Sequence, residues 1–207
     1  MIVSFHTFGC KSNTADTNSM AVSLLGNYDV ELKENASVAD IHIVNTCTVT
    51  ASSDSQARNL LRKLDKLNQR SVIIVTGCSV RRSTGEYKQL FEELSGTNKY
   101  LCFDNPKEDL AELLGSILEL RTELYLTSGG SSIFRTRAFL KVQDGCNNSC
   151  SYCIVPAVRG MERSTNMDEA VAEVLKLQSG GIKEVVLSGI NVGAYSFSLR
   201  NFWSSSF

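Results

Sequence analysis

The chain has 207 residues, a formal net charge of −1 and 43% hydrophobic residues. The near-neutral balance argues against a strongly basic nucleic-acid glove, though not against a local basic patch, and no run approaches the ~20 apolar residues of a membrane span. Seven cysteines, an odd count, with no apolar leader before the first strand-like run, fit a reducing cytosol and thiols used as metal ligands rather than a disulfide framework.

Three apolar, β-branched runs punctuate the first 80 residues, and each ends at a cysteine. Ile2–Phe8 leads to Gly9-Cys10, Ile41–Asn45 to Thr46-Cys47, and Val72–Thr76 to Gly77-Cys78. Near-continuous apolar runs of this length predict strands buried on both faces of a parallel sheet. Between them lie helical patterns: Met20, Leu24 and Leu25 share one face, and Ala57, Leu60, Leu61, Leu64 and Leu67 recur at helical spacing. A fourth strand is expected at Tyr100–Phe103 and a helix at Lys107–Leu118, with Leu110, Leu113, Leu114 and Ile117 inward. Alternating strands and helices predict an α/β fold with a doubly wound parallel sheet over residues 1–120.

Sites in such sheets form outside the carboxyl ends of the strands. Cys10, Cys47 and Cys78 all stand there, so the topology converges three thiols on one rim and makes a candidate cluster site. The alternative is three buried structural cysteines, since free Cys is among the most buried residue types. Cys102 lies inside its strand and reads as a core thiol.

Residues 121–133 contain Ser128-Gly129-Gly130-Ser131-Ser132 and read as a linker. A strand at Phe139–Gln143 then enters Cys146-Asn147-Asn148-Ser149-Cys150-Ser151-Tyr152-Cys153, which spaces three cysteines as C-x3-C-x2-C. Three thiolates so close can hold one face of a cubane iron–sulfur cluster and leave one iron open for chemistry. The alternatives are zinc, which wants a fourth ligand that no nearby His or Cys supplies, or inert thiols. Asn166 is a candidate N-cap with Glu169 at the third helical position, followed by Val171, Val174 and Leu175 as an apolar face and Gly180-Gly181 as a stop. Glu184–Leu187 is the next strand, ending at Ser188-Gly189-Ile190-Asn191. The result is a βαβ unit with the cysteine loop at a strand's carboxyl end, as in barrels.

Thr7–Asn13, Asn45–Thr50 and Thr76–Cys78, with Leu140–Cys146, Cys150–Pro156, Arg159-Gly160 and Arg163-Ser164, resemble the motifs of the radical S-adenosylmethionine (SAM) methylthiotransferases. The residues around the cysteines are most similar to the MtaB-type branch, which modifies N6-threonylcarbamoyladenosine beside the tRNA anticodon. The other branches act on isopentenyladenosine in tRNA or on a ribosomal protein. The resemblance implies two 4Fe-4S clusters. One, on Cys146, Cys150 and Cys153, binds SAM and cleaves it reductively. The other, on Cys10, Cys47 and Cys78, supplies sulfur. It also implies that Tyr152 lies against the adenine of SAM and that Gly189 and Asn191 belong to a turn near SAM. Arg159 is a candidate contact to SAM or substrate phosphate, or a loop-surface charge. tRNA and an electron donor such as flavodoxin or ferredoxin are the implied partners, in the cytoplasm and away from membranes.

The match fades after Tyr195, so residues 134–207 read as an incomplete radical SAM domain, the first βαβ part of a partial (β/α) barrel. Truncation at the carboxyl end is the expectation, with weak or no turnover by this chain alone; a non-catalytic iron–sulfur-binding fragment is the other reading. Arg163, Arg58, Arg62, Lys63, Arg81 and Arg82 are candidate RNA or phosphate contacts or solvated charges. His6 and His42 read as strand histidines, and Asn13 and Asn45 as groups near the cysteine rim or turn caps.

Overall fold

The computed structural model describes residues 1–48, 51–67, 70–94, 97–103, 110–119 and 137–196. The chain divides into two compact units, Met1–Arg135 and Thr136–Phe207. The Ser/Gly-rich segment expected as a linker and the tail from residue 197 lie outside the described residues.

The first unit runs β1 (Ile2–Thr7), α1 (Lys11–Asn27), β2 (Glu31–Glu34), β3 (Ile41–Thr46), α2 (Ala51–Leu67), β4 (Val72–Gly77), α3 (Cys78–Arg82), α4 (Thr84–Glu93), β5 (Lys99–Phe103) and α5 (Leu110–Glu119). The strands form one parallel sheet in the order β2-β1-β3-β4-β5. Alternate residues of the central strands supply two cores. Val3, Phe5, Ile41, Ile43, Val72 and Ile74 face α1 and α5, while Val44, Ile73 and Val75 face α2 and α4. Helices on both faces make the sheet doubly wound, as the alternation of elements predicts.

The edge strand β2 is the element that hydrophobic pattern alone does not reveal. Its sequence is Glu-Leu-Lys-Glu, and only Leu32 is buried. A strand paired on one side and solvated on the other needs little apolar content, and charges on an edge discourage further pairing. The short helices α3 and α4 after Cys78 are also additions to the expected elements; Tyr87 and Leu90 of α4 are buried.

The chain leaves β1 for β2 on one side and returns to β3 on the other. That reversal is the switch point of an open α/β sheet, the crevice at which such folds place ligands. The register keeps the three cysteine-bearing ends level: Thr7 lies opposite Asn45, and Asn45 opposite Thr76.

The second unit runs β6 (Arg137–Asp144), α6 (Val155–Arg159), β7 (Arg163–Ser164), α7 (Met167–Ser179), β8 (Glu184–Gly189) and a 3-10 turn at Val192–Ala194. Its sheet has the order β7-β6-β8, with β6 and β8 parallel and β7 antiparallel to β6. Asn166 caps α7 as expected, its Oδ1 accepting from Asp168 N at 2.8 Å. Gly181 past the helix end takes φ +88°. The inward stripe of α7 differs from the expected one: Leu177 is buried and Ala170 and Val174 half-buried, whereas Val171 and Leu175 are 51% and 58% exposed. The helix rests on its i, i+4, i+7 stripe Ala170-Val174-Leu177, so the stripe one residue on faces outward.

Candidate metal centres

The first triad stands on the sheet rim. Cys10 is the N-cap of the 17-residue helix α1, with its carbonyl accepting from Asn13 N at 2.9 Å and Thr14 N at 3.2 Å. Cys47 follows β3, and Cys78 opens α3 directly after β4. Cys10 is exposed, while Cys47 and Cys78 are 2% and 4% exposed.

Two glycines let these turns approach one another. Gly9 has φ +93°, and a side chain there would collide with Cβ and Sγ of Cys47. Gly77 has φ +102°, and a Cβ there would meet the Thr46 backbone and stand 2.7 Å from Asn45 Oδ1. Only glycine takes these left-handed conformations at such close quarters.

A buried polar network lies below the rim. Asn13 Nδ2 donates to Phe8 O at 2.9 Å and to Thr46 O at 2.8 Å. Asn45 Nδ2 donates to Asn13 O at 2.9 Å and to Thr17 Oγ1 at 3.0 Å. Thr46 Oγ1 donates to Thr76 O at 2.6 Å. Asn13 and Asn45 are therefore more than turn caps, because they tie strand ends distant in sequence to one another.

The second triad stands on the loop after β6. Cys146 is half-buried and Cys150 and Cys153 are exposed. Cys146 N donates to Gly160 O at 3.2 Å and Cys153 N to Cys150 O at 3.0 Å, which folds the loop back against α6. Gly145 has φ +73° and packs its Cα on the Gly160-Met161 backbone, with no room for a Cβ.

The loop is anchored from inside by two side chains that spacing does not single out. Gln143, 1% exposed, donates from Nε2 to Gly145 O at 2.8 Å and accepts at Oε1 from Asn191 N at 2.8 Å. One amide thus joins the cysteine loop to the Gly189-Ile190-Asn191 turn. Gly189 is shaped by the same side chain: a Cβ there would stand 2.9 Å from Gln143 Cβ. Asp144 accepts from Gly145 N at 3.0 Å, Lys141 Nζ at 2.8 Å and Arg159 Nη1 at 2.9 Å. Burial alone would raise the Asp144 carboxyl, but Lys141 and Arg159 beside it hold it well below the usual carboxylate range. The available signal for both residues is two polar side chains ending an apolar strand directly before Gly-Cys.

Arg159 is 6% exposed and turned onto Asp144, so in this structure it braces the loop. Arg163 is exposed, 4.0 Å from the same carboxylate. Tyr152, before the last cysteine, is 89% exposed. Arg58 is an ion-paired residue: it bonds Asp54 at 3.0 Å, pairs with Glu86, and lies 4.9 Å from the Tyr87 ring centroid. Arg82 donates to Thr48 Oγ1 at 3.2 Å, whereas Arg62 and Lys63 are exposed.

None of the seven cysteines is in a disulfide. Among the described residues no three Cys, His, Asp or Glu side chains stand together as a preformed metal-holding group. The donor chemistry fits thiolate-ligated iron, and Gly9 lets the turn of Cys10 come close to the Cys47 side chain. No helix among the described residues is long and apolar enough to cross a membrane.

Comparison with known proteins matches residues 2–97 to the family described as "Uncharacterized protein family UPF0004" and residues 140–197 to the radical SAM superfamily. The two matches take in both cysteine triads. The chain belongs to the radical SAM methylthiotransferase family. It is 33% identical to the threonylcarbamoyladenosine tRNA methylthiotransferase MtaB of Bacillus subtilis, over 97% of this chain and 46% of that protein. It is 30% identical to the ribosomal protein uS12 methylthiotransferase RimO of Clostridium acetobutylicum, over 93% of this chain and 45% of that protein. It is 34% identical to the tRNA-2-methylthio-N(6)-dimethylallyladenosine synthase of Chloroherpeton thalassium, over 93% of this chain and 44% of that protein. The chain spans about half the length of the curated relatives it matches.

Proposed function

We propose that this chain carries the two iron–sulfur sites of an enzyme that transfers a methylthio group to carbon 2 of N6-threonylcarbamoyladenosine beside the tRNA anticodon. Two cysteine triads, each at the carboxyl end of strands in its own sheet and each backed by its own buried polar anchors, carry the reading. A 4Fe-4S cluster with SAM supplies reductive SAM cleavage and thus C–H activation, which acid–base chemistry cannot provide at an unactivated carbon. Cys146, Cys150 and Cys153 hold that cluster. Tyr152 offers its exposed ring to the adenine of SAM, and the Gly189–Asn191 turn, hung from Gln143, lines the SAM side. Arg159 fixes the loop through Asp144 and borders the same space. Cys10, Cys47 and Cys78 hold the second 4Fe-4S cluster. tRNA is the substrate, a flavodoxin or ferredoxin the electron donor, and the cytoplasm the compartment.

The MtaB-type choice rests on the residues around the cysteines; relatives named for dimethylallyladenosine and for uS12 keep those substrates as the competing outcomes. Bulk tRNA from a strain lacking the gene is expected to lose 2-methylthio-N6-threonylcarbamoyladenosine alone. Loss of the isopentenyl nucleoside, or of a ribosomal protein modification, would move the substrate to that branch. Cys150→Ala is expected to bring anaerobic, dithionite-driven SAM cleavage down to the protein-free background while roughly four irons stay on the other triad. Cleavage at the parent rate by that variant would contradict the assignment of the loop.

A further inference from the structure

The buried amides below the sheet rim do more than fill their positions. Asn13 and Asn45 are both 0% exposed, and their bonds reach the main chain beside all three rim cysteines. Asn13 Nδ2 takes the carbonyl of Phe8, two residues before Cys10, and that of Thr46, directly before Cys47. Asn45 Nδ2 holds the carbonyl of Asn13 in the first turn of α1, while its Oδ1 occupies the space a Gly77 side chain would need, beside Cys78. Thr46 Oγ1 completes the set on Thr76 O, two residues before Cys78. These carbonyls lie at strand ends or in the first turn of α1, and a side-chain donor fixes their direction.

We propose that Asn13 and Asn45 are positioning residues for the cluster on Cys10, Cys47 and Cys78, holding the three cysteine turns in mutual register before iron arrives. The proposal rests on the reading of that triad as a ligand set. The donors are side chains of the sheet and of α1, so the protein itself sets where the turns start. Groups that orient ligands in this way tune how readily a site loads.

The test uses the full chain with Cys146, Cys150 and Cys153 changed to Ala, so that only the rim triad can bind iron. Iron per chain is read after anaerobic reconstitution, and iodoacetamide labelling of Cys10, Cys47 and Cys78 is followed in the metal-free protein. The parent is expected to hold roughly four irons. Asn13→Ala and Asn13→Asp, which lose both donors, are expected to hold less than about one, with Cys47 labelling at least about tenfold faster. Ser71→Ala is the control. It removes a buried bond to Ala39 O of 2.7 Å at the opposite end of the sheet and is expected to lower stability while keeping full iron. Where Asn13→Ala does not fold, Asn13→Ser keeps one donor and is expected to hold an intermediate amount. Full loading with unchanged labelling in the folded Asn13 variants overturns the proposal alone. Equal iron loss in Ser71→Ala also overturns it, since the effect is then general. A parent without iron overturns the ligand set itself.

Discussion

Gly145→Ala is expected to strip iron from the cysteine loop and leave the sheet rim loaded, taking the chain from roughly eight irons to roughly four. Gly145 sits at φ +73°, where a Cβ would collide with the Met161 carbonyl and stand 2.7 Å from Gly160 O. The obstacles are backbone atoms, so relief requires moving the 160–161 segment or the loop. Cys146 N is bonded to that same Gly160 O, and Gln143 holds the Gly145 carbonyl. Cys146, the first proposed ligand, is therefore displaced with its turn. Gly160→Ala separates the two costs. Gly160 also has a left-handed φ, +76°, but nothing lies within 4 Å of its Cβ position. With ψ −163° this is a conformation that other residues adopt only under strain, so the variant is expected to lose about 1–3 kcal/mol of stability and no iron. Equal iron in Gly145→Ala and the parent would contradict the packing role given to this glycine.

The second large effect is a loss of stability on acidification through His6. The ring is 2% exposed and bonded to His42, its Nε2 lying 3.1 Å from His42 Nδ1. Burial first, and the neighbouring His42 second, lower its pKa to about 4. In an unfolded chain it titrates near about 6.5. Between those values the unfolded state binds a proton that the folded state refuses. Stability is thus full above the unfolded value and falls as pH drops toward the folded one, by about 3 kcal/mol in all. Hydrogen-exchange protection of the β1 and β3 amides, measured across pH 4–7, should show the slope of this proton (about 1.4 kcal/mol per pH unit). His6→Gln should flatten it by about one proton. An unchanged slope would mean that carboxylates, not His6, govern the acid response.

The sequence marks the central strands because each is buried on both faces, which makes Ile41–Val44 and Val72–Val75 nearly unbroken apolar runs. The same runs locate the rim, since Cys10, Cys47 and Cys78 follow them at similar distances. β2 escapes this logic because an edge strand carries a single buried residue, Leu32. The face of α7 escapes it because two apolar stripes, one residue apart, compete, and packing against β6 selects between them. Arg159 looks like a loop cation until folding brings it to Asp144, 15 residues away, where the buried pair braces the cysteine loop from inside. Asn13 and Asn45 stand out as polar residues beside the cysteines, but their joint role depends on a strand register that no local pattern encodes.

The central claim is that two cysteine triads each hold a cluster. Iron and acid-labile sulfide, with electron paramagnetic resonance of the reduced protein after anaerobic reconstitution, test it directly. Roughly eight irons and eight sulfides per chain are expected, falling by about half in Cys150→Ala and by about half in Cys47→Ala. Zinc in place of iron, or no stable metal at all, would contradict it.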